Sequence, residues 1–253
     1  MTGWSWTQLA MLGAAGLAGG FVNTLAGGGS LVTLPALLLL GLPADVANAT
    51  NRVGVLAQSI VAARGLGRDP RLADTSKPRV LVPALAGALV GAWLAARTPA
   101  EVLKPILLVT LVAIAGTLLW KPHVLVARAG ESPLDPRERP LGVARLFLIG
   151  AYGGFLQVGV GILLLVFLGS VLRYDLVLGN ALKSLVVAAL TMVALTVFAL
   201  AGQVWWVPGL LMSVAMVAGA RLGVRFALTR GHDAIRRVLF ATVVAACIAA
   251  ALR

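Results

Sequence analysis

Ten apolar runs, separated by short polar or glycine-rich breaks, leave this chain one plausible solvent, the lipid bilayer. Eight of them, near residues 7–25, 45–66, 77–97, 100–121, 142–158, 176–202, 205–228 and 234–252, approach the ~20 residues a helix needs to cross hydrocarbon. Two more, 30–42 and 161–172, are only about 12 residues long, the length of a half-helix or re-entrant segment. Each short run follows a glycine-rich break. The expected fold class is therefore all-α: a polytopic membrane protein with two hairpins broken at glycine.

Composition closes off other classes. Charged residues make up 12% of the chain and mean hydropathy is +0.97, whereas roughly a quarter of a soluble domain is charged. The excess of 21 Lys+Arg over 9 Asp+Glu sits in the breaks between runs and forms no basic face or nucleic-acid motif, so it reads as a topology signal and not a nucleic-acid partner. Cys247 is the only cysteine, and His123 and His232 lie in separate breaks, so no disulfide framework, metal site or cofactor is expected. The start, MTGWSW, lacks the basic flank of a cleavable signal, so the first run is expected to stay in the membrane. The whole chain, 1–253, reads as one transmembrane domain.

The polar stretch RAGESPLDPRERP, residues 128–140, divides the chain into two sets of five runs. Repeat 1 is predicted over about 7–121 and repeat 2 over about 142–253, joined by a cytoplasmic linker, 122–141. Gly19–Asn23 (GGFVN) matches Gly153–Gln157 (GGFLQ), and Asn48-Ala49 matches Asn180-Ala181, each followed closely by a basic residue. Such repeats are a common way of building transporters.

Charge sets the relative orientation of the halves. The breaks 64–79, 121–145 and 225–237 are rich in Arg and Lys, including Arg68, Arg71, Lys121 and Arg128, and are assigned to the cytoplasm. The breaks 97–104 and 202–206 are poor in basic residues, and Trp205 and Trp206 suit an outer interface. The third run then ends inside and its counterpart in the second half ends outside, so the repeats are predicted to be inverted. Residues 7–42 enter from outside, 142–173 enter from the cytoplasm, and both termini are predicted to face outward.

Irregular backbone at membrane depth is tolerated only where protein or a watery cavity surrounds it. Two oppositely inserted hairpins would bring such backbone together at a transporter's substrate site. Gly27, Gly28 and Gly29 allow close approach to a ligand, and the helix starting at Ser30 would aim its positive dipole end there. Close helix packing is the competing reading, and the preferred one for Gly13, Gly16, Gly87 and Gly91. Arg52 lies about seven residues into its run, roughly 10 Å at 1.5 Å per residue, and Lys183 is placed similarly. Intramembrane cations are functional candidates, with snorkelling to the headgroups as the alternative. Asn48 precedes Arg52 by four residues and Asn180 precedes Lys183 by three, so each pair shares a helix face. No Asp or Glu lies clearly at depth, and an anion is the natural partner for the two cations.

The stretches GFVNTLAGGGSLVTLPALLLLGLP and VANATNRVGVLAQS, with GGFLQVGVGILLL and LGNALKS in the second half, resemble the sulfite exporter TauE/SafE family of membrane permeases. The resemblance implies transport of small sulfur-containing anions, such as sulfite or organosulfonates, across the bacterial inner membrane. The expected partners are that small anionic substrate and the lipid bilayer. The expected mode is export by alternating access, with uptake of another small anion as the alternative. The anion is expected between the tips formed by Gly27, Gly28, Gly29, Gly159 and Gly161. Charge would come from Arg52 and Lys183, and neutral donors from Asn23, Ser30, Asn48, Asn51, Gln157 and Asn180. An intramembrane enzyme would need a nucleophile–base pair or metal ligands, and no His or carboxylate lies at depth beside a partner, so no catalytic residue is assigned.

Overall fold

The computed structural model describes residues 5–67, 77–120, 134–139 and 141–251. Arg68, Arg71, Lys121, His123, Arg128 and most of the linker lie outside the described residues, as do the side chains of His232 and Cys247. Every described regular element is helical.

Local chemistry sets the helix ends. Helix α1 (Trp6–Ala26) opens with a capping box in which Ser5 Oγ accepts the Gln8 N–H and Gln8 Oε1 accepts the Ser5 N–H. It stops at Gly27, whose φ of +79° is the left-handed cap that glycine adopts without strain. Helix α2 (Ser30–Leu39) is short, and α3 (Ala44–Leu66) starts after Pro43. Helices α4 (Lys77–Arg97) and α5 (Ala100–Trp120) complete the first half. In the second half, α6 (Gly142–Phe155) is followed by α7 (Val160–Val166), whose end widens into a π-helical turn over Phe167–Val171. Asp175 accepts the Val177 and Leu178 N–H groups to start α8 (Leu176–Leu200). Helix α9 (Trp206–Ala251) ends the described chain. Among the described residues, four helical stretches are long and apolar enough to cross a membrane: Trp6–Ala26, Pro78–Arg97, Val177–Leu200 and Trp206–Thr229.

Two glycine-lined seams give the helix directions. On α4 and α6, a Cβ on Gly87 would lie 2.0 Å from the Phe147 carbonyl oxygen, and one on Gly150 would lie 2.0 Å from that of Ala84. Gly91 and Gly154 continue this seam a turn further along, so the two helices run side by side in the same direction. On α1 and α9, Gly16 and Gly20 meet Met212 and Met216, while Gly219 meets Leu17, so this pair is also parallel. Glycine here lets backbones approach within a distance any side chain would forbid. Packing thus accounts for Gly16, Gly87 and Gly91, while Gly13 faces nothing within 4 Å.

The two pairs point opposite ways. Gln203, between α8 and α9, donates through Nε2 to the Ala96 carbonyl at the end of α4, so α4 arrives where α9 departs. Helix α3 runs with α9, since Gly209 packs on Val53 and Gly65 on Val224. The α1–α2 hairpin therefore enters from the Trp205 end. The α6–α7 hairpin enters from the end where Arg79 pairs with Asp135 and the Leu134 N–H donates to the Leu172 carbonyl.

One expectation is corrected. The runs 205–228 and 234–252 are not separate helices but parts of α9, 46 residues and about 69 Å long at 1.5 Å per residue. The intervening RFALTRGHDAIRR is polar but contains no proline and one glycine, and polarity alone does not stop a helix. The expected return of the last run to the outer side has no counterpart in α9.

The seams generate a sharp contrast. Gly150→Leu drives a side chain into the Ala84 backbone and is expected to abolish recovery of monodisperse protein in detergent. Gly13→Ala, into open space, is expected to leave recovery and melting temperature at the wild-type level, as size-exclusion chromatography and a thermal melt would show.

Candidate functional site

The two hairpin tips meet backbone to backbone. A Cβ on Gly27 would lie 2.3 Å from the Gly161 carbonyl carbon, and one on Gly161 would lie 2.4 Å from Gly27 Cα. Gly29 is equally confined, its Cβ position lying 2.2 Å from the Gly19 carbonyl oxygen on α1. Gly28 faces only flexible apolar side chains, Ile162 and Leu31, at 3.3 and 3.4 Å. Gly159, with φ +64°, lies under Ile114 of α5. Among the tip glycines, then, Gly27, Gly29 and Gly161 serve close packing, and the point where the tips touch is filled.

Both predicted cations are buried, Arg52 at 0% and Lys183 at 2% exposure. Neither snorkels to a surface. Each donates to the last-turn carbonyls of the first helix of the opposite half. Lys183 Nζ donates to the carbonyls of Asn23 (2.9 Å) and Thr24 (3.1 Å) and to Asn180 Oδ1 (2.8 Å). Asn180 Nδ2 donates to the Leu25 carbonyl at 3.2 Å. On the other side, Arg52 donates from Nη1 to the Gly153 carbonyl (3.0 Å) and Gln157 Oε1 (2.8 Å), and from Nη2 to the Gly154 carbonyl (2.6 Å). Asn48 Nδ2 donates to the Phe155 carbonyl at 2.8 Å. The Asn23 carbonyl also accepts the Gly27 N–H at 2.9 Å; helix ends leave the carbonyls beyond it without intrahelical donors, and at the C-terminus they carry the negative end of the dipole. The Arg52 guanidinium also stacks over Phe198, its Cζ 4.8 Å from the ring centroid.

The two caps are alike: Asn23, Thr24 and Leu25 are held by Lys183 and Asn180 much as Gly153, Gly154 and Phe155 are held by Arg52 and Asn48. Gln157, four residues past Gly153 as Gly27 is past Asn23, also adopts a left-handed backbone, with φ +65°. A non-glycine residue held there, buried, stores strain typical of functional positions. Its side chain justifies it, since Oε1 takes the Arg52 bond and Nε2 donates to Thr191 Oγ1 at 3.0 Å.

The remaining predicted donors form a neutral cluster. Asn51 Nδ2 donates to Ser30 Oγ (3.1 Å), Thr33 Oγ1 donates to Asn51 Oδ1 (2.6 Å), and the Gly29 N–H donates to Asn23 Oδ1 (3.3 Å). Thr24, Thr33, Gln58, Ser59, Thr191 and Phe198 belong to this buried interior and were not singled out from the sequence. Their signal was present: Asn48, Asn51, Arg52, Gln58 and Ser59 fall on one stripe of α3, and Asn180, Lys183, Ser184 and Thr191 on one stripe of α8. Two buried polar atoms lack a partner on that α3 stripe, Arg52 Nε and Asn48 Oδ1. Among the described residues, no group of three His, Cys, Asp or Glu could hold a metal ion.

Long apolar helices, two hairpins entering from opposite ends and buried cations at their tips define a multi-pass membrane protein of transporter type. The chain belongs to the sulfite exporter TauE/SafE family, a transporter family, which it matches over residues 12–250. It is 30% identical over 242 residues to the "Probable membrane transporter protein ORF9" of a Sinorhizobium species, covering 95% of this chain and 91% of that protein. It is 29% identical over 237 residues to the Escherichia coli K12 "Probable membrane transporter protein YfcA", covering 92% and 85%. A Haemophilus influenzae "Probable membrane transporter protein" is 26% identical over 230 residues, covering 90% and 88%. No solved structure gives a significant match.

The caps and tips can be tested by stability alone. Lys183→Met leaves the Thr24 carbonyl and Asn180 Oδ1 buried without the ammonium that donates to both, while Asn23 keeps the Gly27 N–H, at a cost of about 2–5 kcal/mol. A lowered melting temperature in detergent is expected. Gly28→Ala should melt as wild type, whereas Gly27→Ala should fail to assemble, having neither space nor a compatible φ.

Proposed function

We propose that this protein is a permease for a small sulfur-containing anion, sulfite or an organosulfonate, exporting it across the bacterial inner membrane by alternating access. The observation that carries the reading is the pair of buried cations whose hydrogen-bond partners are carbonyls and amides, with no carboxylate among them. A helix C-terminus offers only about half a negative charge. Each cap therefore leaves the tip region net positive, and Arg52 keeps one buried N–H unpaired. An entering anion supplies the missing charge, and Ser30, Asn51, Asn23, Asn48, Asn180 and Gln157 are neutral donors at hand.

The two halves are inverted repeats in this reading. The antiparallel entry of α1 and α6, the parallel pairs α1–α9 and α6–α4, and the exchanged caps support it. The Trp205 end faces outward together with the start of α1, and the Arg79 end faces the cytoplasm, in keeping with the distribution of basic residues. With the tips in contact at Gly27 and Gly161, neither hairpin leaves a path between them. Substrate passes when one hairpin shifts against the other, freeing Gly28, Gly29, Gly159 and Gly161 backbone toward the anion. An anion leaving a negative cytoplasm gains roughly 2.3 kcal/mol per charge per 100 mV, so the membrane potential suffices as driving force.

Flux measured in proteoliposomes under an imposed potential tests this. Sulfite efflux is expected to fall at least about ten-fold in Arg52→Lys, which keeps a charge but loses the forked donors, and about five-fold in Ser30→Ala, the effect of one hydrogen bond. Wild-type flux in correctly assembled forms of both variants would refute the site. A thermal-shift screen of sulfite, sulfate, thiosulfate, taurine and sulfoacetate then selects the substrate by the one that stabilises.

A further inference from the structure

A second site lies away from the tips, at the Arg79 end of the α4–α6 seam. There a groove of about 980 Å³ opens between the first turns of the two helices and the turn at residues 136–139. Its wall is apolar and exposed, including Val82 and Leu148, which are 65% and 64% exposed, together with Phe147 and Pro83. Its rim is cationic, since Arg79, Arg137 and Arg139 all line it. Among the described residues, no carboxylate does.

The rim is built. Arg79 pairs with Asp135, tying the turn to α4. The Arg137 backbone N–H, and then the Arg79 guanidinium, hold the Asp135 carboxyl below the usual carboxylate range, so this tether stays charged at neutral pH. Arg79 is occupied by Asp135, whose charge also acts on Arg137 from nearby; Arg137 and Arg139 both line the rim, and Glu138 between them is not part of the wall. The groove also sits at the N-terminal ends of α4 and α6, where the helix dipoles are positive.

We infer that this groove binds an anionic phospholipid, its phosphodiester headgroup held by Arg137 and Arg139 and an acyl chain lying along Val82, Pro83, Phe147 and Leu148. The occupant must be amphipathic, because the wall is apolar over its length and the charge is confined to one end. It must be anionic, because the rim holds guanidinium groups and, among the described residues, no carboxylate lines it. Basic pockets between membrane helices take acidic headgroups for this reason. The bound lipid would bridge α4 and α6 at the end where glycine contacts begin, whatever the protein transports.

Native mass spectrometry of the detergent-solubilised protein tests this, with phosphatidylglycerol, phosphatidylcholine and inorganic phosphate as separate probes. Phosphatidylglycerol is expected to be retained in preference to phosphatidylcholine. In Arg137→Gln/Arg139→Gln, whose changes are confined to the turn, its affinity should fall about 30-fold, the loss expected of two basic residues near an acidic headgroup. Leu148→Trp, which fills the groove but leaves the rim intact, should weaken it as well. Equal retention of the two lipids, full retention by the double variant, or binding of inorganic phosphate in place of the lipid would each overturn the inference.

Discussion

A lysine or arginine in the middle of a membrane protein normally needs a counter-charge, and here backbone carbonyls at a helix end provide part of it. Lys183 and Arg52 each close the end of a helix that belongs to the other half of the chain. The arrangement solves two problems together. A helix that stops at membrane depth leaves carbonyls without donors, and a buried cation lacks solvent; each is the remedy for the other. The hairpin turns can lie inside the protein only because these caps exist. The glycine seams follow from the same demand, since α1 and α6 must be clamped closely by α9 and α4 to hold their ends against α8 and α3.

Because the caps are exchanged, the mechanical units of the protein are not its sequence halves. Helix α3 is bound to the end of α6, and α8 to the end of α1. Gln157 and Asn180 add a second link to each unit, one through the Arg52 guanidinium and the other through the Leu25 carbonyl. Any motion of one hairpin that leaves its cap intact carries a helix from the other half along with it.

Much of this was legible in the residues. The apolar runs gave most helices within a few residues, since run length and Gly or Pro at the ends are local properties. The short runs after GGG and GVG marked α2 and α7, and Arg52, Lys183, Asn48 and Asn180 stood out as polar groups with no reason to be in lipid. Two things were hidden. The place where α1 is capped was hidden: GGF marks Gly19–Phe21, whereas the carbonyls that Lys183 and Asn180 reach are those of Asn23, Thr24 and Leu25, about a turn further on. The partner of the cations was hidden too, since a backbone carbonyl has no letter in the sequence. The continuity of α9 across RFALTRGHDAIRR was missed for a simpler reason: hydropathy reports solvent preference, and helicity does not depend on it.

The separation of the caps along the chain also sets a schedule for assembly. The carbonyls of Asn23, Thr24 and Leu25 leave the ribosome well before Lys183, which follows Asn23 by 160 residues. At roughly 5–20 residues per second of synthesis, α1 waits about 10–30 s for its cap. During that interval its end must be held by water or by the insertion machinery, because lipid offers no donor. The first hairpin therefore enters the bilayer as an unfinished structure, and its tip is completed only when the second half arrives.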